Sequence, residues 1–212
     1  MYTFQTPQPI AVTVDVLAAD LTVTASDRTD TVVVVRPADE SKKADVRAAE
    51  QTRVEFTDGT LRVIMAKTWR THTPFGGNPA ITVTIEVPTG SELTSNTGVG
   101  QVRGAGALGP CDLTVALGDI TVERPQGSVT AKTSKGDIRI GAAVRGDIRL
   151  ETSVGELEIG IHPGSAVHLE TDATTGNVRN TLAVVGPEPV DTVRVFARSA
   201  LGNVTVRHAD AA

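Results

Sequence analysis

The amino-acid sequence predicts an all-β protein, a two-faced β-solenoid or β-roll of repeats of roughly 18 to 21 residues with an irregular N-terminal strand region. Three observations predict it. Val and Thr each occur 29 times and make up 58 of the 212 residues, and branching at Cβ favours the pleated, half-buried surface of a strand. Apolar and polar residues alternate along much of the chain. Short strands, each led by glycine, recur in the C-terminal half.

Residues 1–88 are expected to form irregular strands, one short helix and a capping loop. Apolar residues alternate from Ile10 to Val16, and two further apolar runs follow before residue 36. The strands Arg53–Thr57 and Leu61–Met65 flank Asp58-Gly59, a dipeptide typical of a tight hairpin turn. Ser41–Gln51 is rich in Ala, Lys and Glu and predicts the single helix.

The loop Lys67–Pro79 is where the sequence offers a candidate binding site. It contains the only Trp of the chain, and aromatic stacking beside a cation is a common recognition chemistry. The alternative, which we favour, is that the loop covers an open end of the solenoid. The candidate binding residues are Trp69, Arg70, His72 and Phe75.

Residues 89–208 are expected to form the regular repeats. The leading glycines are 18, 18, 19, 21 and 26 residues apart, and a second strand lies midway in each interval; they are Gly100, Gly118, Gly136, Gly155, Gly176 and Gly202. One such unit cannot bury its apolar face alone. Stacking pairs each strand with its counterpart one repeat along, about 4.8 Å away, and gives a single domain over residues 1–212. A β-sandwich is the structural alternative, and partners 18 to 20 residues apart would exclude it.

Alternation within the strands assigns the core. The apolar residues of the glycine-led strands point inward on one side and are Ile120, Val122, Ile138, Ile140, Leu157, Ile159, Val178, Val204 and Val206. Those of the intervening strands point inward on the other side and are Leu113, Val115, Val129, Ile148, Leu150, Val167, Leu169, Val193 and Val195. The predicted interior is therefore shared by all the repeats.

The run Ile81–Leu93 and the Gly-Asp-Ile-x-Ile units after it resemble a bacterial β-strand-repeat domain of unknown function known as "putative adhesin". The likeness is clearest over residues 81–159. It implies a repetitive all-β fold and, in some members, a cell-envelope or stress-response setting, and it implies no catalytic residue. Bactofilin-like cytoskeletal solenoids are a more distant likeness.

Acidic residues follow three successive glycines at Asp119, Asp137 and Glu156. Carboxylates one repeat apart could bind a cation or act as a glycosidase pair. The favoured interpretation is that each closes its own turn, because the calcium-binding pattern Gly-Gly-x-Gly-x-Asp does not occur. The four histidines and Cys111 show no metal-site spacing, so neither a metal nor a cofactor is predicted.

The remaining features bound the function. A net charge of -5 without a basic run excludes a nucleic-acid partner, and no apolar run approaches the roughly 20 residues of a membrane span. The N-terminus lacks a signal-peptide pattern, so a cytoplasmic location is expected. The sequence predicts a non-enzymatic scaffold or interaction module that binds a partner protein or copies of itself. The alternatives are a polysaccharide-acting β-helix enzyme and an envelope-stress sensor or regulatory domain.

Overall fold

The computed structural model describes residues 1–65, 79–182 and 191–209. Within these residues the chain forms one helix, α1 (Lys43–Gln51), and short to medium strands. The strands are β1 (Tyr2–Gln5), β2 (Ala11–Ser26), β3 (Asp30–Pro37), β4 (Arg53–Thr57), β5 (Thr60–Ile64), β6 (Ile81–Pro88), β7 (Glu92–Val99), β8 (Val102–Leu108), β9 (Cys111–Leu117), β10 (Ile120–Pro125), β11 (Val129–Lys135), β12 (Ile138–Ala143), β13 (Gly146–Val154), β14 (Leu157–Ile161), β15 (Ser165–Thr175), β16 (Val178–Asn180), β17 (Asp191–Leu201) and β18 (Val204–His208).

The strands stack into two sheets, and most neighbours are parallel and in register. Sheet I runs in the order β1, β3, β6, the second half of β2, β8, β10, β12, β14, β18, β16. Sheet II runs in the order β4, β5, the first half of β2, β7, β9, β11, β13, β17, β15. In the middle of sheet I, Ile120 pairs with Ile138 and Ile138 pairs with Leu157. These partners are 18 and 19 residues apart, so the predicted solenoid is confirmed and the sandwich is excluded.

The inward side chains of both sheets form one hydrophobic cluster along the stack. Ile120 and Ile138 are fully buried and Leu157 is 1% exposed, as the alternation predicts. Most of the predicted inward residues are buried in the same way. The exceptions lie in the coil β15–β16 at one end of the stack, where Val167 and Leu169 are half-buried and Val178 is 46% exposed.

The order of the last two coils differs from the order in the chain. The coil β17–β18 lies between β13–β14 and β15–β16, so Leu157 pairs with Val204, and Val178 lies beyond Val204. The expected pairing of Leu157 with the next repeat, at Val178, is therefore wrong. The physical reason is composition: the inward positions of β18 are Val204 and Val206, whereas those of β16 are Val178 and Asn180. The more apolar coil is enclosed and the more polar coil lies at the end.

The N-terminal region joins the same stack. Strand β2 bends from sheet II into sheet I and pairs on both sides in each, with β5 and β7 and then with β6 and β8. Beyond β5 and β6, antiparallel pairings with β4, β3 and β1 follow. The predicted hairpin is confirmed by positive φ at Asp58 (49°) and Gly59 (73°), and the predicted helix is two residues shorter than expected. At nine residues, α1 is too short to cross a bilayer. No helix among the described residues is long and apolar enough to do so.

The repeated glycines are required by the close approach of the turns. At Gly136 the backbone has φ of 149°, and a Cβ built there would lie 2.0 Å from the carbonyl oxygen of Gly118 in the neighbouring turn. No side chain can occupy that position without moving the backbone of the adjacent coil. The glycine repeat of the sequence is thus a consequence of parallel stacking.

Candidate functional site

The four residues proposed from the sequence as a binding site, Trp69, Arg70, His72 and Phe75, lie outside the described residues. Both interpretations of the loop Lys67–Pro79, binding and capping, therefore stay predictions. The site described below is built from other residues.

Two of the three acidic residues after the glycines, Asp119 and Asp137, bind the backbone of the next turn. Asp119 Oδ1 accepts a hydrogen bond of 2.8 Å from the backbone N–H of Asp137, and Asp137 Oδ1 accepts one of 2.9 Å from the backbone N–H of Glu156. Further along the stack, Asn203 Oδ1 accepts a bond of 3.0 Å from the N–H of Asn177. The expectation that each acidic residue closes its own turn is therefore wrong, because these oxygens bind the N–H of the neighbouring turn in the stack. Carboxylates that link successive turns have a structural role, which disfavours a cation site or a glycosidase pair. The described residues contain no cluster of three or more metal-ligating side chains.

The free cysteine is a core residue. Cys111 is 4% exposed at the inward position of β9, and burial raises the pKa of its thiol to about 12. A thiol with so high a pKa is protonated at neutral pH and is a poor nucleophile. His168, in contrast, lies on the outer face of β15 and is exposed, as predicted.

A row of exposed side chains follows the narrow edge of the stack where sheet II turns into sheet I. Each residue of this edge row directly precedes a turn glycine, and the strand register places them side by side in the order Val99, Leu117, Lys135, Val154, Leu201. The four apolar members are 40 to 51% exposed. Four large apolar side chains aligned on the surface of a small domain are unusual, because such residues are normally scattered.

On the sheet II side of the edge row lies a shallow depression of about 390 Å³. It is bordered next to the edge row by small side chains, among them Ser134, Ser153 and Ala200, and on its far side by long charged ones. Of the latter, Lys132 Nζ lies 3.0 Å from a carboxylate oxygen of Glu151. Small side chains on this flank allow a partner to approach the edge row closely.

On the sheet I side, two residues beyond the edge row, lie the polar residues that follow the glycines. We call this set the acidic row: Gln101, Asp119, Asp137, Glu156 and Asn203. Asp137 also forms an ion pair with Arg139, in which Asp137 Oδ2 lies 2.8 Å from a guanidinium nitrogen. The side chain of Lys135, in the middle of the edge row, makes no ion pair or hydrogen bond with any described residue, whereas its backbone carbonyl accepts a bond from the N–H of Gly118. The edge is thus an apolar row interrupted by one free lysine and flanked by carboxylates.

Sequence reasoning missed the edge row. Strict alternation from Val115 and Ala116 assigns Leu117 to the interior, but the chain turns at Gly118 and leaves this side chain at the corner, 46% exposed. A signal was present, since the residue before the leading glycine is Val or Leu in four of the six repeats.

A second surface lies on the outer face of sheet II around Phe196. The guanidinium of Arg149 stacks on its ring, 4.7 Å from the centroid. Its charged neighbours pair with one another: Asp147 binds Arg194 at 2.8 Å and Arg149 at 3.4 Å. Because these groups satisfy each other, this surface offers less to a ligand than the edge row.

Comparisons with known proteins support the fold. No protein-family model matches the chain, and no curated protein matches it. A solved structure from Clostridium sporogenes, named "putative cell adhesion protein", is similar over 98% of both chains with a TM-score of 0.56 at 9% sequence identity. A "putative adhesin" from Bacteroides fragilis is 12% identical, covers 97% of this chain and 95% of its own, and has a TM-score of 0.39. The first structure shares the overall fold, and its name agrees with the resemblance noted for Ile81–Leu93 and the units after it.

Proposed function

We propose that this chain is a non-enzymatic binding module that takes up a protein partner along its narrow edge. The observation that carries the proposal is the edge row, in which Val99, Leu117, Val154 and Leu201 are exposed in register over five neighbouring coils. Burial of exposed apolar surface is the main driving force for protein association. A rigid parallel stack holds these side chains in fixed positions, so a partner does not have to order them.

The acidic residues that could have supported an enzymatic role are occupied in the fold. Asp119 and Asp137 accept backbone hydrogen bonds in the turns, and the Cys111 thiol is buried. A binding role uses the surface as it stands and requires no reactive group.

The test compares partner capture by three proteins from an extract of the source cells. The double variant Leu117→Ser with Leu201→Ser removes two apolar side chains from the edge row. The control, Ile64→Ser, removes a side chain of β5 that is similarly exposed, at 39%, but lies outside the row. We expect the wild type and the control to retain the same partner and the double variant to lose it. Equal retention by all three proteins, with unchanged melting temperatures, would contradict the proposal.

A further inference from the structure

The geometry points to the chemistry of the partner that the edge row accepts: an amphipathic α-helix with an apolar stripe and a flank of Lys or Arg side chains. This inference rests on the proposed function and adds the class of partner. Spacing, charge and size each support it.

The spacing of the edge row suits a helix. Neighbouring coils of a parallel stack are about 4.8 Å apart, so Val99 and Leu201 are about 19 Å apart. Side chains on one face of an α-helix recur on average every 3.5 residues, which is about 5.2 Å along its axis. The mismatch adds up to about 2 Å over the four steps. An extended strand places same-face side chains about 6.7 Å apart, so its mismatch is about 2 Å at the first step and about 8 Å over the four steps.

The negative charge of the acidic row favours a partner with positive charge on the flank that faces it. Asp119, Asp137 and Glu156 lie beside the central part of the edge row, and only Asp137 among them makes an ion pair with a described residue. A helix lying on the row would bring one of its flanks over these carboxylates. Lys or Arg at that flank is attracted, and Glu or Asp is repelled, so the acidic row controls orientation and specificity.

The size and symmetry of the row disfavour a second copy of this chain. A stable dimer buries about 800 Å² on each partner, and four half-exposed side chains supply much less apolar surface than this. A two-fold axis through the middle of the row would also place Lys135 against the same lysine of the other copy. A partner helix avoids this repulsion by presenting a small or acidic residue at that position.

The experiment uses the full chain and two synthetic helical peptides of about 18 residues, each with Leu along one face at i, i+3 and i+4 spacing. One carries Lys along the adjacent flank and the other carries Glu at the same positions. We expect the Lys peptide to bind in the micromolar range, at least about tenfold more tightly than the Glu peptide at low salt, with the preference decreasing as salt is raised.

Two variants separate the apolar and the charged contributions. The triple variant Asp119→Asn, Asp137→Asn and Glu156→Gln removes three charges. It keeps side-chain oxygens that can accept the same hydrogen bonds, since the amide oxygen of Asn203 already accepts one from a backbone N–H. It should abolish the preference between the peptides while leaving the melting temperature unchanged. Lys135→Leu makes every member of the edge row apolar and should tighten binding of the Lys peptide by about fivefold. Ile64→Ser should change neither the preference between the peptides nor the affinity for the Lys peptide.

The outcomes distinguish this inference from the proposed function. Equal affinity of the wild type for both peptides, or a charge preference that survives in the triple variant, overturns the inference about the helix. If neither peptide binds but the partner captured from extract is still lost in the Leu117→Ser and Leu201→Ser variant, the result supports binding at the edge row and contradicts a helical partner. Concentration-dependent dimers of the wild type that disappear in this double variant would identify the occupant as a second copy instead.

Discussion

In the inner coils, each strand from β7 to β12 pairs with the strand two elements further along the chain, whereas strands at both ends of the stack do not. Near the N-terminal end, β2 is inserted between coils that come much later in the sequence. At the other end, β17–β18 precedes β15–β16. Glycine-led strands occur in the inner coils and also in the last two coils, at β16 and β18. The repeat therefore encodes the shape of a coil, while the apolar content of each coil determines where it is placed.

The order of the last coils can be tested by disulfide formation. Glu158 and Thr205 are register partners in β14 and β18, and Arg179 lies one strand further on. Register partners on adjacent strands meet the Cα separation of 4.4 to 6.8 Å that a disulfide needs, and residues two strands apart, at about 9.6 Å, do not. In a Cys111→Val background, Glu158→Cys with Thr205→Cys should oxidise almost completely, and Glu158→Cys with Arg179→Cys should not. Non-reducing mass spectrometry of peptides checks this, and the opposite result would restore chain order.

The glycine requirement should be strict in the inner coils and weaker at the end. A Cβ on Gly136 would lie 2.0 Å from the carbonyl oxygen of Gly118, and one on Gly176 would lie 2.0 Å from that of Gly202. The inner glycine is fixed by strands on both sides, whereas β16 pairs only with β18 among the described residues and can shift. Gly136→Ala should lower the free energy of unfolding by about 4 kcal/mol or more, and Gly176→Ala by about 1 to 2 kcal/mol. Urea denaturation measures both, and equal losses would show that the end coil is held as firmly as the middle.

Burial in the core should show the same contrast. Ile138 is fully buried between two coils, and Val178 occupies the equivalent inward position in the end coil but is 46% exposed. Ile138→Ala should cost about 3 to 4 kcal/mol, because it leaves a cavity between packed coils. Val178→Ala should cost less than about 1 kcal/mol. The measurement is again chemical denaturation, and a large loss for Val178→Ala would mean that this side chain is covered in solution.

The sequence predicted the local structure of both regions but not their order. Composition, alternation and the glycine spacing were enough for the solenoid, for the hairpin at Asp58-Gly59 and for the buried row of Ile120, Ile138 and Leu157. The exchange of the last two coils was not predictable from spacing, because Gly176 and Gly202 begin nearly identical units, Gly-Asn-Val. What separates these units is the number of apolar residues that follow, Val204 and Val206 against Val178 alone, and this matters only when both coils compete for the same place.

The edge row was missed for a different reason. Alternation is a rule for the interior of a strand, and it fails where the chain turns, which is where Leu117 and Val154 lie. Strand periodicity therefore predicts buried residues reliably and corner residues poorly. The candidate residues that the sequence did suggest, in the loop Lys67–Pro79, were chosen for residue type alone.

The smallest expected effect concerns the hydrogen bonds between turns, which follow the order of the stack. Asp137 Oδ1 accepts the N–H of Glu156, Glu156 accepts a bond of 3.2 Å from the Asn203 side chain, and Asn203 in turn accepts the N–H of Asn177. The acceptor rather than the charge should matter, since the ion pair of Asp137 with Arg139 is exposed and contributes little. We expect Asp137→Ala to lower the free energy of unfolding by about 1 kcal/mol, because the N–H of Glu156 loses its partner, and Asp137→Asn by less than about 0.5 kcal/mol. Urea denaturation of both variants checks this. If Asp137→Asn costs as much as Asp137→Ala, the carboxylate charge itself contributes to stability, and repeating the measurement with added calcium or chelator would then show whether a cation occupies the acidic row.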